Sequence, residues 1–202
     1  MREVPEDLAR RLLAAGDEIG VSFDDVRMDQ IAAVTGIPRA TLYYYFAGKD
    51  DAIGFVLQAA LADLAAAAAE VVDAPGDAAT RFFDVIRAQL QHLADRPATS
   101  QMLISNLGKA GQLPDIAAQV EASFHTPIRK LLEQGVADGT LREVEDPELA
   151  ASAFFGAVVV VGLRQLVVHG TVDVERVTSS LALMFGHGVA APRPASPDNS
   201  IA

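Results

Sequence analysis

MDQIAAVTGIPRATLYYYFAGK, residues 28–49, contains two short helical segments separated by a turn. The first segment carries apolar residues at helical spacing until Thr35-Gly36 interrupts it. Gly36 supplies the backbone freedom needed to leave a helix, and Pro38 suits the first position of the next helix because its missing N–H has no helical partner there. A further break follows at Ala47-Gly48. The stretch therefore predicts a helix-turn-helix.

The second of these helices carries three consecutive tyrosines, residues 43–45. At about 100° per residue, Leu42 and Phe46 lie on one side of the helix, so the three rings cannot all be buried with them. Large exposed rings on so short a helix indicate a surface that meets a partner. The alternative is that individual tyrosines pack against neighbouring helices, and Tyr45, nearest the apolar side, is the best candidate for that role.

The polar groups around the tyrosines suit nucleic acid. Arg39 can reach a guanine edge, tyrosine hydroxyls can donate to phosphate oxygens, and Ala40 or the Thr41 methyl can contact a thymine methyl. Lys49 stands in the first turn of the following helix, where a cation opposes the helix dipole unless something such as a phosphate favours it. A solvated lysine without a role is the alternative, and the nearby tyrosines argue against it.

Residues 28–53 closely resemble the DNA-binding region of the TetR family of transcriptional regulators. The matching residues, at the family's spacing and without a gap, are Ile31-Ala32, Gly36-Ile37, Arg39-Ala40-Thr41-Leu42-Tyr43, Tyr45-Phe46 and Lys49. The resemblance implies an all-α protein whose DNA contacts come from Arg39, Ala40, Thr41, Tyr43, Tyr44, Tyr45 and Lys49.

The chain departs from the family pattern at three positions. Pro38 replaces a common serine and so removes a possible phosphate-binding hydroxyl. Ser22 stands where a glycine is usual. Arg27 replaces the usual Ser/Thr helix cap with a guanidinium that can itself grip phosphate, leaving Asp24 or Asp25 to cap the helix.

Net charge is the main argument against a DNA-binding protein. The 202-residue chain carries 16 basic and 27 acidic residues, a net charge of −11, and residues 1–50 alone carry +6 against −9. The fold must therefore gather its few cations on one face. Arg2, Arg10 and Arg11 can form a solvated face or touch phosphate, the first being favoured. The alternative is that the helix-turn-helix is an ordinary helical hairpin.

Apolar periodicity and Gly/Pro breaks predict about nine helices and no strand. Their expected ranges are 5–19, 28–35, 38–46, 49–72, 77–95, 99–107, 114–137, 147–168 and 173–186. We expect a DNA-binding domain at 1–48, a helical bundle for ligand binding and dimerisation at 49–189, and a disordered tail at 190–202. No cysteine, signal peptide, metal-ligand spacing or nucleophile–base grouping is present. We therefore expect a cytoplasmic protein without a cofactor or metal that is not an enzyme.

The 114–137 helix contains an interior proline, Pro127, which predicts a kink beside Phe124 and His125. Such a kink can open a pocket in the bundle, and the family resemblance also implies an effector cavity in this region. Although most of these aromatic residues are ordinary core by their residue type, we predict an apolar lining with a few orienting polar groups: Phe83, Gln89, Met102, Asn106, Phe124, His125 and Phe155. The expected effector is a largely hydrophobic, weakly polar small molecule.

The helix from Pro147 is apolar nearly all round over residues 153–163, too short a run to span a bilayer. Its apolar surface, with that of the last helix, exceeds what one side of a bundle needs, which predicts a homodimer. The family resemblance implies a four-helix interface, expected near Val158, Val161, Leu181 and Phe185. Such a dimer requires a near-palindromic double-stranded operator.

The sequence therefore predicts a ligand-responsive DNA-binding regulator, most readily a repressor, with no membrane partner. A helical small-molecule-binding protein whose helix-turn-helix is structural is the alternative.

Overall fold

The computed structural model describes residues 3–19, 26–105 and 114–187. Within these ranges the chain is helical and contains no strand, which confirms the all-α prediction. The helices are α1 Glu6–Ala14, α2 Gly16–Ile19, α3 Met28–Thr35, α4 Arg39–Tyr45, α5 Lys49–Val72, α6 Ala78–Asp95, α7 Pro97–Ser105, α8 Pro114–Val120, α9 Thr126–Asp138, α10 Pro147–His169 and α11 Val174–His187. A π-helical turn, Glu121–His125, joins α8 to α9. Several residues named above lie outside the described ranges: Ser22, the predicted caps Asp24 and Asp25, Asn106 and the 190–202 tail.

Two predicted helices are each divided in the structure, which is why eleven helices replace the expected nine. The first divides after Ala14 into α1 and α2. At this break a Cβ on Gly16 would lie 3.0 Å from Thr99 Oγ1 and 3.2 Å from a Val56 methyl, so α2 approaches the bundle closely. Asp17 adds a hydrogen bond, since its Oδ1 accepts from the Thr99 backbone N–H at 2.8 Å. The helix-turn-helix region is therefore attached to the bundle at α7 as well as through α5.

The turn between α3 and α4 is held by side chains on both sides. Gly36 adopts φ 64°, the left-handed conformation expected of a residue that ends a helix. Thr35 Oγ1 accepts from the Ile37 backbone N–H at 3.2 Å. Arg11 donates to the Thr35 carbonyl from Nη2 at 3.0 Å, so this arginine caps α3 rather than standing free on a solvated face. Pro38 precedes α4 as its N-cap, one residue earlier than expected, and its carbonyl accepts the first helical bonds.

One continuous core runs from the helix-turn-helix into the bundle because α5 belongs to both. Leu12, Ile31 and Leu42 are fully buried in the first part of this core. Leu61 and Leu64 of α5 continue it into the bundle, where α5 packs against α6, α8 and α9. At about 1.5 Å per residue, the 24 residues of α5 span roughly 36 Å. The helix bounds Lys49 and Val72 agree with the prediction.

Helices α5 and α10 are long and apolar enough to cross a membrane by length and composition alone. Core helices of soluble proteins have the same properties, so this observation is weak evidence for a membrane protein. Both helices pack into the bundle, with 44% and 33% of their apolar windows buried.

The predicted kink at Pro127 takes the form of the π-helical turn immediately before it. Pro127 has no N–H, so the Ser123 carbonyl lacks its helical partner four residues later. The Thr126 N–H reaches back five residues to the Glu121 carbonyl instead. The buried Gln89 side chain donates from Nε2 to the orphaned Ser123 carbonyl at 3.0 Å. An amide from α6 therefore completes the hydrogen bonding that the proline removes.

The Ser123 hydroxyl ties the same turn to α5. Its Oγ lies 2.9 Å from the Leu61 carbonyl oxygen and 2.6 Å from that of Gln119. A hydroxyl has one proton, so it can donate fully to one of the two at a time. Through Gln89 and Ser123, the π-helical turn is hydrogen-bonded to both α6 and α5.

Candidate nucleic-acid interface and bundle cavity

Three of the predicted DNA-contacting cations surround one surface depression of about 380 Å³. Arg27 lies at the start of α3, Arg39 at the start of α4 and Lys49 at the start of α5, and the lining also includes Tyr43 and Asp29. Three cations and one acid meet here on a chain of net charge −11. The fold therefore gathers positive charge at the helix-turn-helix, the arrangement that DNA binding by an acidic chain requires.

Arg39 is the best-defined side chain of this surface. Its Nη1 lies 2.6 Å from Asp29 Oδ1, and its guanidinium carbon lies 5.4 Å from the centre of the Tyr43 ring. Hydrogen bonding to Tyr43 and the charge of Asp29 both raise the pKa of Arg39, so the guanidinium keeps its charge. The side chain remains 57% exposed and accessible to a partner.

The predicted division of the tyrosines agrees with the burial along α4. Tyr43 and Tyr44 are 46% and 59% exposed, whereas Tyr45 is half-buried and packs against the core. Tyr44 meets the Tyr45 ring edge-on with the centroids 4.9 Å apart. Ala40 is exposed and Thr41 half-exposed on the same helix. The other predicted DNA-contacting side chains are exposed, apart from that of Lys49, which is half-buried like those of Thr41 and Tyr45.

Two acids, Asp50 and Asp51, lie in the first turn of α5, as expected. Asp51 Oδ2 accepts from the Ala47 backbone N–H at 2.9 Å. Lys49 lines the depression although it opposes the positive end of the α5 dipole. A phosphate bound near the N-terminus of α5 would favour a lysine at this position.

The residues predicted for the effector pocket occupy two different places. Phe124, His125 and Phe155 form one aromatic cluster, with centroids 4.9 Å apart for the Phe pair and 5.0 Å for His125 and Phe155. Phe124 and Met102 are each 3% exposed, and Gln89 is 1% exposed and bonded to Ser123. These side chains are therefore engaged in packing or hydrogen bonding within the bundle.

A cavity of about 510 Å³ lies at the end of the bundle farthest from the helix-turn-helix, and Phe83 is the predicted pocket residue that lines it. Its walls come from the start of α6, the end of α9 with the loop after it, α10 and the end of α11. The full lining is Ala79, Phe82, Phe83, Leu132, Thr140, Leu141, Arg142, Val144, Ala150, Ala153, Phe154, Phe185 and Gly186. The cavity is thus apolar, with Arg142 as the charged group in its lining.

The loop that walls this cavity is held by hydrogen bonds and by packing. Asp138 accepts from the Ala78 N–H at 3.1 Å and from the Thr140 N–H at 3.0 Å. Bonds from Thr140 first, and then from Ala78, lower the pKa of Asp138. Leu141 packs directly over Gly135, where a Cβ would approach it to 2.5 Å. The cavity wall therefore has a defined shape before any ligand enters.

The residues predicted for the dimer interface do not all face outward. Val158 and Leu181 are 1% and 5% exposed because they pack inside the chain, while Val161 and Phe185 are half-buried. The large apolar side chains that α10 and α11 expose are Val160, Val167, Val168, Leu183, Met184 and Leu149. The exposed apolar side chains thus lie on the same two helices as the predicted interface residues but on a different side of each helix.

Among the described residues, no group of three or more His, Asp or Glu side chains is placed to hold a metal ion.

Among known proteins, residues 7–52 match a family model that is described as bacterial regulatory proteins, tetR family. No curated protein sequence matches the chain.

The fold is shared with several solved regulators. The Bacillus halodurans fatty acid degradation regulator FadR is 14% identical, with 95% of this chain and 100% of that chain covered and a TM-score of 0.81. FadR from Bacillus subtilis, solved in complex with stearoyl-CoA, is 18% identical over 90% of this chain and 99% of that chain, with a TM-score of 0.77. The TetR-family regulator PfmR from Thermus thermophilus is 23% identical over 90% and 100% of the two chains, with a TM-score of 0.72. Residues 7–52 thus match the DNA-binding region of the TetR family of transcriptional regulators, and the chain as a whole shares the fold of the solved regulators.

Proposed function

We propose that the protein is a cytoplasmic repressor that binds a near-palindromic DNA operator as a homodimer and is released by an apolar small molecule. The observation that carries this proposal is the depression lined by Arg27, Arg39 and Lys49, beside the exposed rings of Tyr43 and Tyr44. Cations placed beside hydroxyl donors suit a phosphate backbone. The same surface argues against the alternative, a carrier with a structural helix-turn-helix, because a carrier has no need to collect cations there.

Gel shifts with fragments of genomic DNA test the proposal directly. We expect one or a few fragments to be preferred, with affinity falling steeply between low and moderate salt. Equal binding to all fragments, or none, would defeat the regulator proposal. Sequencing the DNA enriched by the purified protein would then identify the operator.

The two kinds of DNA contact predict different mutant behaviour. Lys49→Ala removes a proposed phosphate contact, so it should weaken binding to all sequences about equally and lower the salt slope by about one. Arg39→Ala removes a proposed base contact and should cost about 1–3 kcal/mol at the operator while relaxing preference at one base pair. Fluorescence anisotropy on the operator and on single-base variants measures both effects. Unchanged affinity and preference in Arg39→Ala would show that Arg39 does not read a base.

For the effector, we propose an apolar molecule bound in the cavity at the far end of the bundle. Its volume of about 510 Å³ falls within the roughly 300–1,000 Å³ common for small-molecule sites. The central cluster at Phe124 and His125 is the other candidate. There, however, Gln89 already donates a hydrogen bond to Ser123, and Phe124 is buried in the core. Since FadR from Bacillus subtilis was solved with stearoyl-CoA, a fatty acyl chain is a reasonable first ligand to test. Residues after 50 carry a net charge of −8, which disfavours a strongly anionic head group.

Filling the cavity should remove the ligand response. Ala79→Leu adds bulk to the cavity wall, so we expect stearate, whose head group carries a single charge, to bind at least about tenfold more weakly, which corresponds to roughly 1.4 kcal/mol. Ala66→Leu, on the exposed side of α5, makes the same change away from the cavity and should behave like the unmodified protein. Isothermal titration and ligand-induced release of operator DNA provide the two readouts. If Ala79→Leu binds the ligand as tightly as Ala66→Leu does, the effector site does not lie in this cavity, and the Phe124 cluster becomes the next candidate.

Release requires the ligand to favour a state in which the two DNA-binding regions are wrongly spaced. A coupling of about 1–3 kcal/mol would loosen the operator roughly 5- to 150-fold. The long helix α5 is the proposed lever, because it begins at the lysine in the depression and ends beside the bundle helices that wall the cavity.

A further inference from the structure

Asp29 is an acidic residue on the surface that the proposed function presents to DNA. It lies in the first turn of α3 and is 66% exposed in the wall of the depression that also holds Arg27, Arg39 and Lys49. A carboxylate in this position repels phosphate and reduces the local positive charge, which weakens the attraction of an acidic chain to DNA. Its presence there calls for a compensating role.

The contacts of Asp29 indicate what that role is. Its Oδ1 lies 2.6 Å from Nη1 of Arg39, and the same guanidinium lies over the Tyr43 ring at 5.4 Å. Arg39 is therefore held at one edge by an acid from α3 and on one face by a ring from its own helix. A guanidinium has five donors in one plane, so the bond to Asp29 leaves further donors free for the oxygen and nitrogen of a guanine edge.

Orientation matters for this side chain because arginine is long and has many rotamers. An untethered arginine loses rotamer freedom when it is fixed, while one already held loses less per hydrogen bond formed. A free arginine can also turn to the nearest phosphate, a contact that carries no sequence information. A tether thus favours the base contact over the phosphate contact.

We propose that Asp29 is a positioning residue that holds Arg39 in the orientation that reads a base, thereby trading general DNA affinity for sequence selectivity. This inference rests on the proposed function, since it requires Arg39 to contact a base. The competing explanation is that Asp29 is an ordinary first-turn acid favoured by the α3 dipole. Asp50 supplies a control for that explanation, because it holds the same second position in α5 and is also exposed.

The experiment measures selectivity, defined as the ratio of affinities for two duplexes. The first is the duplex that the full-length protein enriches from a random-sequence library, and the second is a shuffled duplex of the same length and composition. Anisotropy titrations compare the unmodified protein with Asp29→Asn, Asp29→Glu, Arg39→Ala, Asp50→Asn and the Asp29→Asn/Arg39→Ala double variant. Circular dichroism and thermal melting establish that each variant is folded.

We expect Asp29→Asn to bind the shuffled duplex more tightly and to lose about fivefold or more in selectivity, since a good arginine–guanine contact provides discrimination of at least that size. Asp29→Glu should recover part of the selectivity, and Asp50→Asn should retain all of it. In the Arg39→Ala background, Asp29→Asn should change selectivity no further, because the side chain that it positions is gone.

Four results would overturn the inference. Equal loss of selectivity from Asp29→Asn with and without Arg39 would show that Asp29 acts by another route, such as direct contact with cytosine. The same loss in Asp50→Asn would show a general effect of charge. Full selectivity in Arg39→Ala would overturn both this inference and the proposed base contact. If Arg39→Ala loses selectivity but Asp29→Asn keeps it, the inference alone is overturned.

Discussion

Val160→Glu is expected to leave the protein monomeric and to weaken operator binding about 100-fold or more, because the avidity of two linked DNA-binding regions typically amounts to 10²–10⁴. Val160 is 63% exposed on α10 and belongs to the apolar face that includes Val167 and Leu183. A charge placed at the centre of a dimer interface is buried without a partner, which strongly opposes association. The folded chain itself should tolerate the change, since the side chain faces solvent in the single protomer.

Val136→Glu is the matched control for this experiment. Val136 is also an exposed valine, 43% accessible, but it belongs to α9 and not to α10 or α11. Light scattering at micromolar concentration should find a dimer for the unmodified protein and for Val136→Glu, and a monomer for Val160→Glu. A dimeric Val160→Glu variant would place the interface elsewhere. The dimer should space its two recognition helices about 34–36 Å apart or a multiple of that distance.

Gln89→Leu should produce the second large effect, a loss of stability of about 1–3 kcal/mol, because it leaves a buried carbonyl without a hydrogen-bond donor. That carbonyl belongs to Ser123 in the π-helical turn and lacks a helical partner because of Pro127. For a chain of this length, the loss corresponds to a melting temperature lower by roughly 2–12 °C. Gln91→Leu, on the exposed side of the same helix, should stay within about 0.5 kcal/mol.

Pro127→Ala tests the cause of this instability. The substitution returns a backbone N–H four residues after Ser123, so a regular helical bond can replace the one that Gln89 provides. Gln89→Leu combined with Pro127→Ala should therefore destabilise by less than the sum of the single changes. Additive losses in chemical denaturation would show that the glutamine does not compensate for the proline.

Helix positions were predictable wherever one residue type determines a boundary. Gly48 before Lys49 and Pro147 at the start of α10 set helix starts that the structure reproduces. The break between α1 and α2 was not predictable, because nothing local requires it. It accompanies the contact of Gly16 with Thr99, a residue 83 positions later, and sequence periodicity carries no information about such a contact.

The parts of the site that come from one helix were predictable from the sequence. The parts that depend on contacts between distant segments were not. Arg39, Tyr43 and Tyr44 share one short helix, so their common exposure follows from helical spacing. The role of Asp29 depends on how α3 crosses α4. The burial of Val158 inside the chain was not predictable, because the apolar run at 153–163 has no polar arc to show which side is buried. The far cavity combines four separate segments of the chain, and no single stretch predicts it.

The hydrogen bond between Asp17 and the Thr99 amide bears on the entropy of operator binding. A helix-turn-helix joined to its bundle through α5 alone could rotate about the axis of that helix, and each DNA-binding event would have to restrict the rotation. The bond from α2 to α7 lies off that axis, so it fixes the rotation while the protein is still free in solution. Much of the orientational entropy is therefore lost when the chain folds and not when it meets DNA. Such preorganisation leaves more of the contact energy available as affinity.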